Sequence, residues 1–261
     1  MQHGAPPVDL ISMLNVLRFL AALRDENPAL LLLAPLFLLE GLYARTVTAK
    51  LPEAAGARSG LAGSGPVLRM LVLGDSAAAG VGVDRQEDAL GGQVLQQLAK
   101  KFSVQWKIVA RIGANTESAL HELQEQPPEK YDVALLSLGV NDVTASRSLN
   151  DWILLQKRLV DLLREQCHVR FVLLTALPPM HKFTALPQPL RWFLGQRARK
   201  FTVALQAFAA THGDCAIVDL GDITQPGMIA ADGFHPSIKT YAAWGQAAAE
   251  LIAQRAASFP S

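Results

Sequence analysis

Short apolar runs alternate with segments of helical periodicity along the chain after residue 66. The runs predict buried strands at residues 67–73, 104–112, 132–139, 169–177 and 215–220. Between and after them, apolar residues recur every three or four positions, which predicts helices at residues 87–102, 115–126, 148–167, 190–211 and 236–257. This alternation is typical of a parallel sheet covered by helices on both faces.

Residues that can take part in a chemical reaction follow four of the predicted strands. Ser76 follows the first strand, Gly113 the second and Asn141 the third, while Asp232 and His235 lie beyond the fifth. In a parallel sheet these positions meet at one edge. A hydroxyl, an Asp–His pair and neutral amide donors are the groups that acyl transfer needs as nucleophile, oriented base and oxyanion stabilisers.

The segments GDS (74–76), Gly113, GVND (139–142) and DGFHP (232–236) resemble, in this order, the four sequence blocks of the SGNH/GDSL hydrolases. The resemblance spans roughly residues 67–261 and excludes the N-terminal part of the chain. It implies a three-layer α/β/α, flavodoxin-like fold, here with a five-stranded parallel sheet. It also implies a serine esterase or lipase that uses no cofactor.

By that resemblance, each strand-end residue has a role. Ser76 would be the nucleophile, His235 the general base and then general acid, and Asp232 the residue that orients the imidazole. The oxyanion hole would use the backbone amides of Ser76 and Gly113 and the side-chain amide of Asn141.

The same residues also admit plainer structural explanations. Ser76 suits a helix N-cap, Gly113 a turn and Asn141 an Asx turn. We expect Asp75 and Asp142 to brace their loops through hydrogen bonds rather than to act in catalysis.

A loop rich in apolar and basic residues (178–200) follows the fourth predicted strand. Loops at strand ends often form substrate pockets, and within this one His181 and Phe183 are candidates for substrate contact. Ordinary packing of the following helix is an equal alternative. The basic residues suit a solvated face or, if the protein touches a membrane, phospholipid headgroups.

The first fifty residues predict a hydrophobic helical segment, joined by a Gly/Ala/Ser/Pro-rich linker (51–66) to a hydrolase domain (67–261). The apolar run 29–39 is shorter than the roughly 20 residues that a spanning helix needs. A packed soluble helix, peripheral membrane contact through residues 10–44 and a cleaved signal are all open. We expect a cytoplasmic location: if the apolar run inserts in a membrane, Arg45, Lys50 and Arg58 after it favour a catalytic part on the cytoplasmic side.

Charge and motif content narrow the function. The net charge of +1 argues against nucleic-acid binding. The segment after the first strand lacks the lysine of a phosphate-binding loop, and no clustered metal ligands or CxxC pairs occur. The expected substrate is a small-molecule or lipid ester, such as a lysophospholipid. An acyltransferase, a carbohydrate deacetylase and a non-catalytic binding module remain as alternatives.

Overall fold

The computed structural model describes residues 10–127, 129–220, 223 and 225–259, so residues 1–9 of the predicted N-terminal segment lie outside it. The strands within these ranges are β1 (Ser59–Ala62), β2 (Val67–Gly74), β3 (Ser103–Ala110), β4 (Val133–Ser137), β5 (Phe171–Thr175) and β6 (Cys215–Val218). The helices are α1 (Leu10–Glu26), α2 (Ala34–Val47), α3 (Leu90–Leu98), α4 (Thr116–Glu125), α5 (Val140–Thr144), α6 (Leu149–Glu165), α7 (Leu190–Ala210) and α8 (Ile238–Ala256).

All six strands form one sheet in the order β1-β3-β2-β4-β5-β6. The five predicted strands are present and run parallel, whereas β1 pairs antiparallel with β3 at the edge. The expectation of a five-stranded, purely parallel sheet is therefore wrong by one strand. β1 lies in the segment predicted to be a linker, and it is largely exposed. Its pairing depends on backbone hydrogen bonds, so no apolar run marks it in the sequence.

Helices cover both faces of the sheet, which confirms the three-layer architecture. Every residue of β4 and β5 is buried, as expected for strands packed on two sides. Helices α3 and α8 pack together on one face, while α6 packs between α4 and α7 on the other.

Because of their register, the three strands β2, β3 and β4 end at the same level of the sheet. Gly74, the last residue of β2, pairs with Ala110 of β3 on one side and with Ser137 of β4 on the other. β2 therefore lies at the point where the chain reverses its direction across the sheet, and this is where doubly wound folds form a crevice.

The N-terminal helices pack against α7. Phe37 of α2 stacks on Phe193 of α7 with ring centroids 5.2 Å apart, and Phe19 of α1 meets both rings edge-on. Together with a preceding 3₁₀ helix, α2 forms a helical stretch Pro28–Val47 of 20 residues and mean hydropathy 1.6. By length and composition this stretch could span a membrane. The apolar run 29–39 therefore gave too short a length for it. The division of the chain at residues 51–66 stays a prediction.

Candidate active site

A continuous chain of hydrogen bonds joins Ser76, His235 and Asp232. The Ser76 hydroxyl lies 2.9 Å from Nε2 of His235, although the two residues are 159 positions apart. On the other side of the ring, Nδ1 lies 2.5 Å from Oδ2 of Asp232. The structure therefore brings together the three residues that the strand-end pattern singled out.

The segment from Asp232 to His235 folds into a turn that Asp232 itself stabilises. Its Oδ1 accepts hydrogen bonds from the backbone N–H groups of Phe234 (2.9 Å) and His235 (3.0 Å). Gly233 lies between them with φ +72°, a backbone conformation that favours glycine. Burial alone would raise the pKa of the Asp232 carboxyl, but the hydrogen bonds from His235 and Phe234 hold it below its ordinary value. Asp232 is thus held as a carboxylate against the imidazole.

Ser76 lies in a series of turns rather than at the start of a helix. The next α-helix, α3, begins at Leu90 and is preceded by Ala89. Gly80 and Gly82 have φ values of +83° and +106°, which a helix does not allow. The interpretation of Ser76 as a helix N-cap is therefore wrong.

Contacts with α8 hold the Ser76 turns in place. The backbone N–H of Val81 donates to the carbonyl oxygen of Ser76 at 2.9 Å. The carbonyl of Val81 in turn accepts the buried hydroxyl of Tyr241 from α8 at 2.7 Å. Gly82 lies so close to the carbonyl oxygen of Pro236 that a Cβ atom there would collide with it. These contacts tie the turns that carry Ser76 to the segment that carries His235.

A hydrogen bond joins the loop that carries Asn141 to the loop that carries Gly113. The side-chain amide of Asn141 donates one hydrogen bond to the carbonyl oxygen of Ala114 at 2.8 Å. A carboxamide nitrogen has two N–H donors, so one is left for another acceptor. Gly113 has φ +78°, and a Cβ there would meet nothing within 4 Å, so the space beside its backbone is open. Both residues follow strands that flank β2.

Asp142 braces the loop that carries Asn141, as expected. Its buried carboxylate accepts hydrogen bonds from the backbone N–H (3.0 Å) and hydroxyl (2.8 Å) of Thr116 and from Nε of Arg147 (3.0 Å). The Thr116 hydroxyl in turn accepts from Trp152 and Gln156 of α6. This network fixes α5 relative to α4 and α6.

An open apolar cavity adjoins Ser76 and His235. It lies between the carboxyl ends of β2, β4 and β5 and the start of α8, and its apolar lining includes Leu138, Val140, Leu177, Phe183, Met228 and Ile229. Most of these side chains come from loops after the strands, so the strand pattern alone did not mark them. The cavity offers an apolar environment directly beside a hydroxyl group.

The two predicted substrate contacts end up in different places. Phe183 is buried, lines the cavity and packs on Phe234 with ring centroids 4.8 Å apart. His181 is exposed, is not among the residues that line the cavity, and its backbone packs against Gly195 of α7. The structure therefore brings Phe183, but not His181, to this site.

Asp75 is a second buried carboxyl beside the serine, and its state differs from that of Asp232. Its Oδ1 accepts a hydrogen bond from the backbone N–H of Ala77 at 3.0 Å, which agrees with the expected loop-bracing role. Burial raises the pKa of Asp75 to about 7, although that hydrogen bond and the nearby His235 act in the opposite direction. Within the described part of the chain, no group of three or more His, Cys, Asp or Glu side chains is placed to hold a metal ion.

The sequence model of the GDSL-like lipase/acylhydrolase family matches residues 72–243. The chain belongs to this family. Membership in this family implies an ester-hydrolysing enzyme. The matched region contains every strand-end residue discussed above. No curated protein matches the sequence.

Solved structures share the GDSL fold at low sequence identity. A lipolytic protein of the G-D-S-L family from Veillonella parvula is 17% identical with a TM-score of 0.56, over 71% of this chain and 98% of that one. An acetylxylan esterase from Geobacillus stearothermophilus is 16% identical with a TM-score of 0.54, over 72% and 95% of the two chains. A carbohydrate esterase with a carbohydrate-binding domain from Corynascus thermopiles is 17% identical with a TM-score of 0.59, over 80% and 68%. At such identities the likeness concerns the fold.

Replacing Gly82 should separate the two loops of the site. In Gly82→Ala the added Cβ collides with the Pro236 carbonyl at a backbone angle unfavourable to alanine, so the His235 segment must move away from Ser76. We expect ester hydrolysis, measured as kcat/KM on a p-nitrophenyl ester, to fall roughly tenfold or more. Gly213→Ala is the control, because a Cβ there meets nothing within 4 Å. Equal activities of the two variants would contradict the role of this contact.

The raised pKa of Asp75 should appear as a pH-dependent stability. The folded state holds the proton more tightly than the unfolded chain, whose value is near 3.8, so the contribution of the neutral carboxyl is complete below that pH and is lost as the pH rises through about 7. Asp75→Asn lacks this titration. The unfolding free energy of the wild type relative to the variant, from urea titrations, should fall by on the order of 4 kcal/mol over this window. A difference that is constant with pH would show that Asp75 is ionised throughout.

Proposed function

We propose that this chain hydrolyses carboxylic esters through a covalent acyl-enzyme, with Ser76 as nucleophile, His235 as general base and Asp232 as the orienting carboxylate. One observation carries the proposal: the unbroken hydrogen-bond chain from the Ser76 hydroxyl through both nitrogens of His235 to Asp232. Family membership supports the reaction class, since the matched region contains all three residues.

In the first half of the reaction, Oγ of Ser76 attacks the ester carbonyl carbon while Nε2 of His235 takes the hydroxyl proton. Nδ1 carries a proton toward Asp232, whose carboxylate stabilises the imidazolium that forms. Collapse of the tetrahedral intermediate breaks the bond to the alcohol, which leaves with the proton from His235. Water, activated by the same imidazole, then hydrolyses the acyl-enzyme and restores Ser76.

The oxyanion of the intermediate would accept hydrogen bonds from three neutral donors: the backbone amides of Ser76 and Gly113 and the side-chain amide of Asn141. The open space beside Gly113 and the second N–H of Asn141 support this assignment. Asn141 is held by its bond to Ala114 and by the Asp142 network, so its donor needs no reorganisation during the reaction.

The cavity supports an ester with an apolar acyl group, such as a lipid or lysophospholipid, over an acetyl ester. Its lining is largely aliphatic and aromatic and lies directly beside Ser76. A carbohydrate deacetylase remains the second candidate, because two of the similar structures are carbohydrate or acetylxylan esterases. An acyltransferase would use the same residues and differ only in the acceptor of the acyl group.

Replacement of Ser76 tests the nucleophile. Ser76→Ala should abolish covalent labelling by a fluorophosphonate and reduce ester hydrolysis by at least about 10³-fold, because it removes the hydroxyl that lies against Nε2 of His235. Ser137→Ala is the control, since Ser137 borders the same cavity. Labelling that persists in a Ser76→Ala variant with a native circular dichroism spectrum would exclude Ser76 as nucleophile. If the wild type neither labels nor hydrolyses any ester, the chain is a binding module instead.

A series of p-nitrophenyl esters of rising acyl length tests the substrate class. We expect kcat/KM to rise from acetate to medium-chain esters as the chain fills the cavity. In Met228→Trp, whose larger side chain occupies part of the cavity, the medium-chain to acetate ratio should fall roughly tenfold. Ile238→Trp, at a half-exposed position outside the lining, is the control. A preference for acetate in the wild type would favour the deacetylase, and ester formation with added alcohols would indicate an acyltransferase.

A further inference from the structure

Helix α2 has its polarity reversed relative to a helix on the surface of a soluble protein. Its exposed positions from 35 to 43 are Pro35, Leu36, Leu38, Leu39, Leu42 and Tyr43, all without charge. Leu39 and Leu42 are 65% and 59% exposed. The single charged residue of this stretch, Glu40, is buried and accepts a hydrogen bond from the backbone N–H of Leu190 at 2.8 Å. A surface helix in water normally shows the opposite arrangement.

The apolar surface extends beyond α2. Leu31 and Leu32 of the preceding 3₁₀ helix and Leu17 of α1 are exposed, Leu32 by 86%. Contiguous apolar surface of this kind marks contact with another apolar phase or molecule. We call the exposed apolar residues of the Pro28–Val47 stretch, together with Leu17, the leucine face.

The exposed charges within residues 28–51 are basic, and the exposed acid just before them, Asp25, is paired with Arg24. Between residues 28 and 51 the only acidic residue is the buried Glu40, whereas Arg45 and Lys50 are exposed. Trp192, the third residue of α7, is also half-exposed and lies two positions after Leu190, the partner of Glu40. Exposed cations and a tryptophan beside an apolar surface are typical of segments that bind anionic lipid interfaces. Packing of the leucine face against the same face of a second copy would not be stabilised by these cations.

The helices that carry the leucine face are fixed to the catalytic part. Phe37 and Phe193 stack on the inner side of α2, as described above. Glu26, at the end of α1, forms ion pairs with Arg197 and Lys200 of α7. If α2 crossed a bilayer in this arrangement, its contact at Glu40 would place the start of α7, with Arg191, deep in the hydrocarbon. Charged residues there are strongly unfavourable, so crossing requires that α2 separate from α7.

We propose that the leucine face docks in the plane of an anionic membrane surface, with its leucines among the acyl chains, Arg45 and Lys50 at the headgroups, and the catalytic part in water. The protein is then monotopic rather than spanning. This proposal is independent of the catalytic assignments, since it uses none of the residues of the site.

Flotation of the purified full-length chain with preformed vesicles tests the proposal. The wild type should float with vesicles of phosphatidylcholine and phosphatidylglycerol, bind more weakly to phosphatidylcholine alone or at high salt, and leave its N-terminal residues open to protease added outside sealed vesicles. Leu39→Glu/Leu42→Glu should weaken binding roughly tenfold or more, because two carboxylates replace apolar side chains at the lipid contact. Leu61→Glu/Leu154→Glu is the control, since these leucines are 71% and 57% exposed on β1 and α6.

Three outcomes would overturn the proposal. Equal binding of both double variants would show that the leucine face is not the contact. Protection of the N-terminal residues from protease added outside the sealed vesicles, lost on adding detergent, would indicate a spanning helix. A wild type that ignores vesicles but sediments as a dimer, which Leu39→Glu/Leu42→Glu dissociates, would assign the face to a second copy. Thermal unfolding followed by circular dichroism verifies that each variant is folded.

Discussion

The alignment of three strand ends is the constraint on which the candidate site depends. Because Gly74 pairs with both Ala110 and Ser137, the chain leaves the sheet at one level on three neighbouring strands. Ser76, Gly113 and Asn141 lie two, three and four residues beyond that line. Packing on both faces fixes this level, since a slip by one residue would move every side chain of β4 to the opposite face, among neighbours of a different shape. The short loops then need only a few local hydrogen bonds to aim their groups.

The fourth segment of the site, residues 232–235, does not directly follow a strand end. Its position depends on the packing of α8 instead. The turn from Asp232 to His235 lies between β6 and α8, and it reaches Ser76 because α8 packs on α3 and donates the Tyr241 hydroxyl to the Ser76 turns. Two carboxyl groups near Ser76 have pKa values that are shifted in opposite directions. Asp232 has three hydrogen-bond donors, which hold its pKa below the ordinary value, while Asp75 has one, and burial raises its pKa to about 7. The carboxyl group that contacts Nδ1 is therefore the more acidic of the two.

The five buried strands and the residues at their ends could be predicted from the sequence, because burial on both faces leaves long apolar runs and because Ser76, Asn141 and His235 are chemically distinctive. β1 could not, since an exposed edge strand is held by its backbone. The contact of Gly82 with Pro236 and the hydroxyl of Tyr241 depend on two loops that meet only in the folded state. The N-cap interpretation of Ser76 failed because Gly80 and Gly82 prevent a helix there. Nothing in the periodicity of α2 revealed that its polar residue faces inward, because the pattern shows which residues share a face and not which face is covered.

The bond between Glu40 and Leu190 has a consequence for the order in which the protein is assembled. The two residues are 150 positions apart, so on the ribosome α2 emerges long before α7, whose Leu190 N–H donates the hydrogen bond to the Glu40 carboxylate. During that interval Glu40 must remain solvated, and the aromatic pair Phe37–Phe193 has only one member. The N-terminal helices can therefore make these contacts only after α7 has been synthesised, and until then their leucines are free to meet chaperones or a bilayer.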